Sequence, residues 1–378
     1  MRNWNVNKQT GLDLISIIRS VLQNQKALTY ENYEDIYKLA KFHHVEGISY
    51  LGVKDQKDIP FLDKWKKVYD VTNVRNIYFE VERETILKEM KKHGLSYMPL
   101  KGINLLPCYE DYGMRMMSDN DILYGFVETK EGNYYLNKER EQEAQTLLVH
   151  IMENLGYDIF SLKGKDDVFH KKPFYNFEMH RRLTASGHLH EEYYDNPFDY
   201  AIQDKEDLNL YYLSKEEEYI YIIEHAYKHY KYAGVGIRYL IDMYVYLRRY
   251  RNIMDFTYIL NQIDKLKMRD FYHKSYKLCM NAFEYEMDKD DKEFLDFLLS
   301  CGIYGTDQQQ MNNRLEGKNK LKYIINRMFI DKNECKDQYP FFYKHKIFLP
   351  LLPFYRLTLA MIRSPKRIIK EIKMLIRK

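Results

Sequence analysis

The sequence has 378 residues, of which 45% are hydrophobic and 30% charged, and this composition indicates a folded soluble protein of two or three domains rather than a disordered chain. The formal net charge is +4, but the last 16 residues contribute +6, so the remaining 362 carry −2. A body without net positive charge argues against an extended nucleic-acid groove.

Two features of the sequence bear on cellular location. The opening MRNWNVNKQTGLDL contains no long apolar run, so no secretory signal is expected. The cysteines are scattered, with no pair at the spacing of a metal or redox site: Cys108, Cys279, Cys301 and Cys335. Both features favour the reducing cytoplasm.

The first quarter of the chain is predicted to be helical. Apolar residues recur at helical spacing in residues 11–28 and again over 61–90, and Gly94 is placed to end the last helix. His43 and His44 are adjacent, so on a helix they would point about 100° apart and would not share a metal ion. Residues 1–94 therefore read as a helical N-terminal region.

A short strand is predicted over Leu95–Leu100, followed by a helix that begins directly after Lys101 and Gly102. A strand, a glycine turn and a helix N-terminus place backbone N–H groups where a phosphate can bind. Lys101 could add a positive charge to that site. The alternative is an ordinary strand-to-helix turn with a solvated lysine.

Asp119 and Asp121 precede an apolar pair, which predicts a second strand over Asp119–Leu123. Residues two apart in a strand point to the same side, so the two carboxylates would share one face. Carboxylates this close tolerate each other when a divalent cation lies between them, and Mg²⁺ prefers such ligands. The alternative is a solvated turn rich in Ser, Asp and Asn. Arg115 could bind a phosphate or orient one of the aspartates.

A third acidic candidate lies in residues 175–183, YNFEMHRRL. Strand alternation places Glu178, His180 and Arg182 on one side and the apolar residues on the other. A glutamate on an edge strand is usually only solvated, so the alternation by itself assigns Glu178 no chemistry.

The order of these residues resembles the nucleotidyltransferases of the DNA polymerase-beta type, and most closely a bacterial family of uncharacterised nucleotidyltransferases. The family shares LKG, a tyrosine, an arginine, a D-x-D-hydrophobic strand and an E-hydrophobic-H-x-x-L strand. The larger superfamily normally opens with Gly-Ser, where this chain has Lys-Gly. The residues that carry the resemblance are Lys101, Gly102, Tyr109, Arg115, Ser118, Asp119, Asp121, Glu178 and His180.

The resemblance implies transfer of a nucleoside monophosphate from an NTP, with two Mg²⁺ (or Mn²⁺) ions about 3.5–4 Å apart. Asp119 and Asp121 would bind both ions, and Glu178 would be the third ligand or the base. The triphosphate would be held by Lys101, Gly102, Arg115 and Ser118. His180 could assist proton transfer, contact phosphate, hold Glu178 in place or be purely structural.

A second helical region opens at Ser214, which has capping-box spacing with Glu217. His225 and His229 would stack on one side of this helix, but zinc would need at least one more placed ligand. The sequence from His225 to His229, followed by Arg238 and Asp242, also resembles the family. These four side chains either line the nucleotide cleft or are buried packing residues, with Arg238 bonded to Asp242.

The last 15 residues, SPKRIIKEIKMLIRK, predict a basic amphipathic helix that begins at Ser364 and Pro365. Such a helix can lie on an anionic membrane surface, giving the protein a peripheral membrane contact. Packing on its own domain is the plainer alternative.

Together these observations predict an α+β protein with a small mixed-sheet nucleotidyltransferase core. We expect the core at residues 95–205, helical regions at 1–94 and 206–362, and the basic tail at 363–378. The acceptor is not readable from the sequence: a small molecule, a sugar phosphate or a protein hydroxyl. Two other functions remain open, a catalytically silent nucleotide-binding regulatory module and a membrane-peripheral scaffold in surface-polysaccharide assembly.

Overall fold

The structure is a computed structural model that describes residues 7–185, 187, 189–302, 330, 335 and 339–363. Its fold confirms the α+β class, because a small mixed sheet is surrounded by helices that precede and follow it in the chain. Among the described residues, no helix is both long and apolar enough to cross a membrane. The predicted amphipathic helix of the tail lies outside the described residues.

Helices before the sheet and helices after it make up most of the described chain. They are α1 (Lys8–Leu22), α2 (Tyr33–His43), α3 (Glu46–Val53), α4 (Leu62–Lys92), α5 (Gly102–Leu105), α6 (Glu141–Asn154), α7 (Lys215–Tyr232), α8 (Arg238–Tyr250), α9 (Phe256–Lys265), α10 (Arg269–Phe283), α11 (Lys289–Cys301), α12 (Pro340–Lys344) and α13 (Leu352–Arg363).

Capping residues, glycine and proline explain where several of the helices begin and end. The Ser214 side chain accepts a hydrogen bond from the Glu217 N–H and so begins α7. Gly94, with a φ of +71°, follows the end of α4. The helix after Lys101 is only four residues long, because Pro107 cannot donate the hydrogen bond that would continue it and the chain passes into a 3₁₀ turn.

The described strands form one main sheet and two hairpins. They are β1 (Ser96–Pro99), β2 (Asn120–Gly125), β3 (Val127–Lys130), β4 (Asn133–Leu136), β5 (Asp158–Ser161), β6 (Asp166–Lys171), β7 (Tyr175–His180), β8 (Ala201–Gln203) and β9 (Tyr211–Leu213). The main sheet has five strands in the order β1-β2-β7-β6-β5, and the hairpins pair β3 with β4 and β8 with β9. Strand β2 runs parallel to β7, while the other neighbours in the main sheet are antiparallel.

One side of the main sheet is covered by α4 and α6. Phe79 and Ile86 of α4 pack with Leu148 of α6 against Ile122 and Met179 of the central strands. These strand residues are the apolar half of the predicted alternation. The acidic half therefore points to the opposite side of the sheet.

The N-terminal and C-terminal helices share one apolar core. Leu14 of α1 and Ile48 of α3 belong to the same buried cluster as Leu240 of α8 and Leu278 of α10. The two helical regions are therefore packed together although the sheet separates them in the sequence. Helices α7 and α8 face the acidic side of the sheet across a cavity.

The loop before β2 is fixed by the long helix α4. The Asn76 amide donates to the carbonyl oxygens of Tyr112 and Arg115, each at 2.7 Å, and its Oδ1 accepts from the Met117 N–H. Farther along α4, Arg83 donates to Asn120 Oδ1 at 3.0 Å. The helix therefore holds residues 112–120 from one end to the other.

Candidate active site

A cavity of about 330 Å³ lies between the main sheet and helices α7 and α8. It contains every site residue predicted from the sequence except His180, which lies behind Asp121. The predicted residues that line it are Lys101, Gly102, Arg115, Ser118, Asp119, Asp121, Glu178, His225, His229, Arg238 and Asp242.

The pairing of β2 with β7 brings two acids together from distant parts of the sequence. In the parallel register Asp121 is the partner of Glu178, so both side chains leave the same face of the sheet on adjacent strands. Asp119 lies two residues before Asp121 and lines the same cavity. The three predicted acids therefore converge on one wall.

Asp121 is a buried carboxylate held between two cationic or hydrogen-bonding groups. Its Oδ1 accepts from Lys101 Nζ at 2.6 Å and lies 2.7 Å from His180 Nε2. Burial would raise the pKa of Asp121, but the Lys101 ammonium and His180 hold that pKa well below its ordinary value. Asp121 is thus ionised throughout the physiological range.

Asp119 and Glu178 have a different environment. Neither carboxylate receives a hydrogen bond from any described residue, and both are half-buried on the cavity wall. Burial raises the pKa of Asp119, and the charge of Asp121 raises it further. Burial likewise raises the pKa of Glu178, with contributions from Asp121 and Asp119. The carboxylates of Asp119 and Glu178 repel each other and the carboxylate of Asp121. A divalent cation bound between them would remove this repulsion.

Part of this wall has the donor atoms of a metal site. Ligand atoms of Asp121, Glu178 and His180 lie within 4.8 Å of one another and could hold a metal ion. We favour carboxylate ligation, because His180 Nε2 already bonds Asp121 and its Nδ1 lies 2.5 Å from Asp166 Oδ1. Oxygen ligands are also those that Mg²⁺ and Mn²⁺ prefer over imidazole.

Asp166 and Lys165 support this wall and were missed by sequence reasoning. Asp166 is the cross-strand partner of His180 in β6, and Lys165 Nζ lies 2.8 Å from His180 Nδ1. A chain of contacts therefore runs from Lys101 through Asp121 and His180 to Asp166. The sequence offered one signal: the apolar residues Val168 and Phe169 follow Asp166 and Asp167, which is typical of a strand rather than of a charged turn.

The Lys-Gly turn brings a positive charge to the acids. Lys101 has a φ of +50°, a conformation that residues with a side chain adopt rarely, and such strain is concentrated at functional sites. The N–H groups of Ile103 and Asn104 already donate to the carbonyl oxygens of Leu100 and Lys101. The Lys101 ammonium, and not these two N–H groups, is therefore the donor that the turn brings to the cavity.

Arg115 joins the sheet region to the helical region. Its Nε and Nη2 donate to the two carboxylate oxygens of Asp242 at 2.6 and 3.0 Å, and the Tyr109 hydroxyl donates to the same carboxylate. Burial would raise the pKa of Asp242, but the Arg115 guanidinium holds it below the ordinary value. Asp242 thus bonds Arg115, not Arg238, which donates to the Met116 carbonyl oxygen.

The helical wall of the cavity carries two uncharged histidines. The Nε2 atoms of His225 and His229 are 3.2 Å apart. Burial lowers the pKa of His229 to about 4, with Lys228 adding to the effect, and burial also lowers the pKa of His225 well below its usual range. At neutral pH these rings can donate and accept hydrogen bonds without adding charge.

Comparison with known proteins identifies the family of the chain. No curated protein and no solved structure matches the chain. A family model described as "Uncharacterised nucleotidyltransferase" matches residues 30–139 and 140–284, which include all of the sequence-predicted site residues. Because the matched regions make up more than half of the chain, the protein belongs to this family of nucleotidyltransferases.

Proposed function

We propose that the protein transfers a nucleoside monophosphate from an NTP to a hydroxyl group of a small-molecule acceptor, with Mg²⁺ or Mn²⁺ held by Asp119, Asp121 and Glu178. The single observation that carries this proposal is the parallel register of Asp121 and Glu178, with Asp119 on the same cavity wall. This arrangement supports the roles that the sequence resemblance implied for the three acids.

In the proposed reaction the acceptor oxygen attacks the α-phosphorus, and the bond to the bridging oxygen of pyrophosphate breaks. A bound divalent cation would supply charge neutralisation at the phosphates and a lower pKa for the attacking hydroxyl. The hydroxyl proton passes to Glu178, whose pKa is raised above the ordinary carboxyl value by burial and by the charges of Asp121 and Asp119. Pyrophosphate leaves with both electrons of the broken bond.

The cationic side chains of the cavity fit the triphosphate. Lys101 lies beside the acids, and Arg238 lines the opposite wall. In the absence of substrate, the Lys101 ammonium neutralises the carboxylate of Asp121. If a metal ion bound this carboxylate instead, the flexible Lys101 side chain could turn to a phosphate oxygen. In this proposal Arg115 acts indirectly, since its guanidinium is committed to Asp242.

The cavity favours a small acceptor over a polymer. It is enclosed on the far side by α7 and α8, and it combines neutral histidines with apolar Ile222 and Ala226. The near-neutral body adds no extended positive surface for nucleic acid. Polar groups among apolar ones are typical of small-molecule sites.

The decisive test is incubation of the purified protein with each labelled NTP, Mg²⁺ or Mn²⁺, and a fractionated small-molecule extract. We expect metal-dependent pyrophosphate release and a labelled, non-protein product in one fraction. NTP binding without pyrophosphate release in any fraction would support the silent regulatory module instead. Absence of NTP binding would contradict both functions and favour the scaffold.

Metal affinity should rise with pH. Asp119 and Glu178 have raised pKa values, so protons compete for these carboxylates at a higher pH than for free carboxyl groups. Mn²⁺ should therefore bind more tightly as pH increases through and above the ordinary carboxyl pKa of about 4. Calorimetry in buffers of different ionisation enthalpy should detect proton release.

The matched control is Glu178→Gln, which removes one competing proton. Its Mn²⁺ affinity should be lower and less pH-dependent than that of the natural protein. An affinity that stays constant over this pH range would rule out metal binding by these two carboxylates.

A further inference from the structure

The segment 339–363 exposes many apolar side chains and has no acidic residue among them. Ile347 is 83% exposed. We call its exposed apolar side chains the C-terminal apolar surface. They are Phe341, Ile347, Phe348, Leu349, Leu351, Phe354, Tyr355, Leu357 and Met361.

Positive charges accompany this surface. Lys344 and Lys346 are exposed and lie next to Phe341, Ile347 and Phe348 in the chain. Residues 339–378 contain ten basic residues and one acidic residue, a net charge of +9, while residues 1–338 carry −5. The net positive charge of the chain therefore comes from its last 40 residues, which include the segment with the exposed apolar side chains.

We propose that the C-terminal apolar surface binds an anionic lipid bilayer. Apolar and aromatic side chains would enter the boundary between headgroups and acyl chains, and each lysine near the surface would contribute attraction to anionic lipid. The segment therefore extends the membrane contact predicted for residues 364–378 to side chains that the structure describes.

The composition of the surface argues against two other occupants. A second copy would bring the four basic residues of its own segment 339–363, which has no acidic residue, against those of the first, and like charges repel at the separation of a dimer interface. Single-stranded nucleic acid would be attracted by the charge and could stack on the aromatic rings. However, Ile347, Leu351 and Met361 are aliphatic and exposed, and these match acyl chains rather than bases.

The test is sedimentation of the full chain with vesicles of phosphatidylcholine alone or mixed with phosphatidylglycerol. We expect binding to the mixed vesicles that weakens with salt and at most weak binding to phosphatidylcholine. Changing Lys344→Ser and Lys346→Ser together should reduce affinity for the mixed vesicles by about 25-fold, because each basic group is worth roughly 1 kcal/mol, or about fivefold.

The apolar part is tested by Ile347→Ser with Phe348→Ser, which should lower vesicle binding at least tenfold. The matched control is Val74→Ser with Ile77→Ser, two half-exposed apolar residues on α4 that should leave binding unchanged. Several outcomes would overturn the proposal: no vesicle binding, binding lost only on deletion of residues 364–378, a concentration-dependent dimer broken by the serine changes, or tighter binding of single-stranded RNA than of mixed vesicles.

Discussion

Replacing Asp119 with asparagine is expected to reduce transfer by about 10²–10³-fold or more, the scale for removing one charge-stabilising group from a transition state. The protein should remain folded, because no described residue donates a hydrogen bond to this carboxylate. Stability should be unchanged or slightly higher, since the substitution removes a partly buried charge and its repulsion with Asp121, the two causes that raise the pKa of Asp119. Pyrophosphate release and urea unfolding measured on the same preparation separate the two effects.

Asp158→Asn is the matched control for this experiment. Asp158 is an exposed carboxylate on β5, the outermost strand of the same sheet, and does not line the cavity. It should retain full activity. Full activity of a purified variant carrying both Asp119→Asn and Asp121→Asn would refute the catalytic assignment.

Asp242→Ala is expected to produce the largest loss of stability, about 3–5 kcal/mol of the free energy of unfolding. The substitution leaves the buried Arg115 guanidinium without its carboxylate and the Tyr109 hydroxyl without its acceptor. Removal of one partner of a buried ion pair costs more than the pair contributes, because the remaining charge stays desolvated. Urea unfolding followed by circular dichroism gives the value.

An exposed ion pair of the same chemistry provides the control. Arg140 donates two hydrogen bonds to Glu143 on the surface, so Glu143→Ala should cost no more than about 0.5 kcal/mol. A double variant, Arg115→Met with Asp242→Leu, should recover much of the loss by replacing both charges with apolar groups. Equal effects of Asp242→Ala and Glu143→Ala would contradict the buried-pair argument.

The sequence predicted the local parts of the site because its signals are local. Alternation at Asp119 and Asp121, and again at Glu178, places each acid on a strand face without knowledge of the fold. The pairing of β2 with β7 could not be read in the same way, since a strand's register depends on partners far along the chain. The resemblance to a family supplied that long-range information.

The contacts that the sequence missed or left open involve partners far apart in the chain. In the sequence, Asp166 lies in a charged stretch that is typical of a surface turn. In the structure, the pairing of β6 with β7 brings Asp166 beside His180. Arg238 is one helical turn before Asp242, so the local rule favoured their pairing. The structure instead pairs Asp242 with Arg115, 127 positions earlier.

The hydrogen bonds from α4 to the loop before β2 determine which fragments of the chain can keep the site intact. Residues 112–120 carry Asp119 into the cavity, yet Asn76 and Arg83 fix their path from a helix that precedes the sheet in the chain. A fragment that begins at β1 would keep all three acids but lose the α4 side chains that fix the position of the loop carrying Asp119. A fragment that preserves this arrangement is therefore expected to include α4, which begins at Leu62.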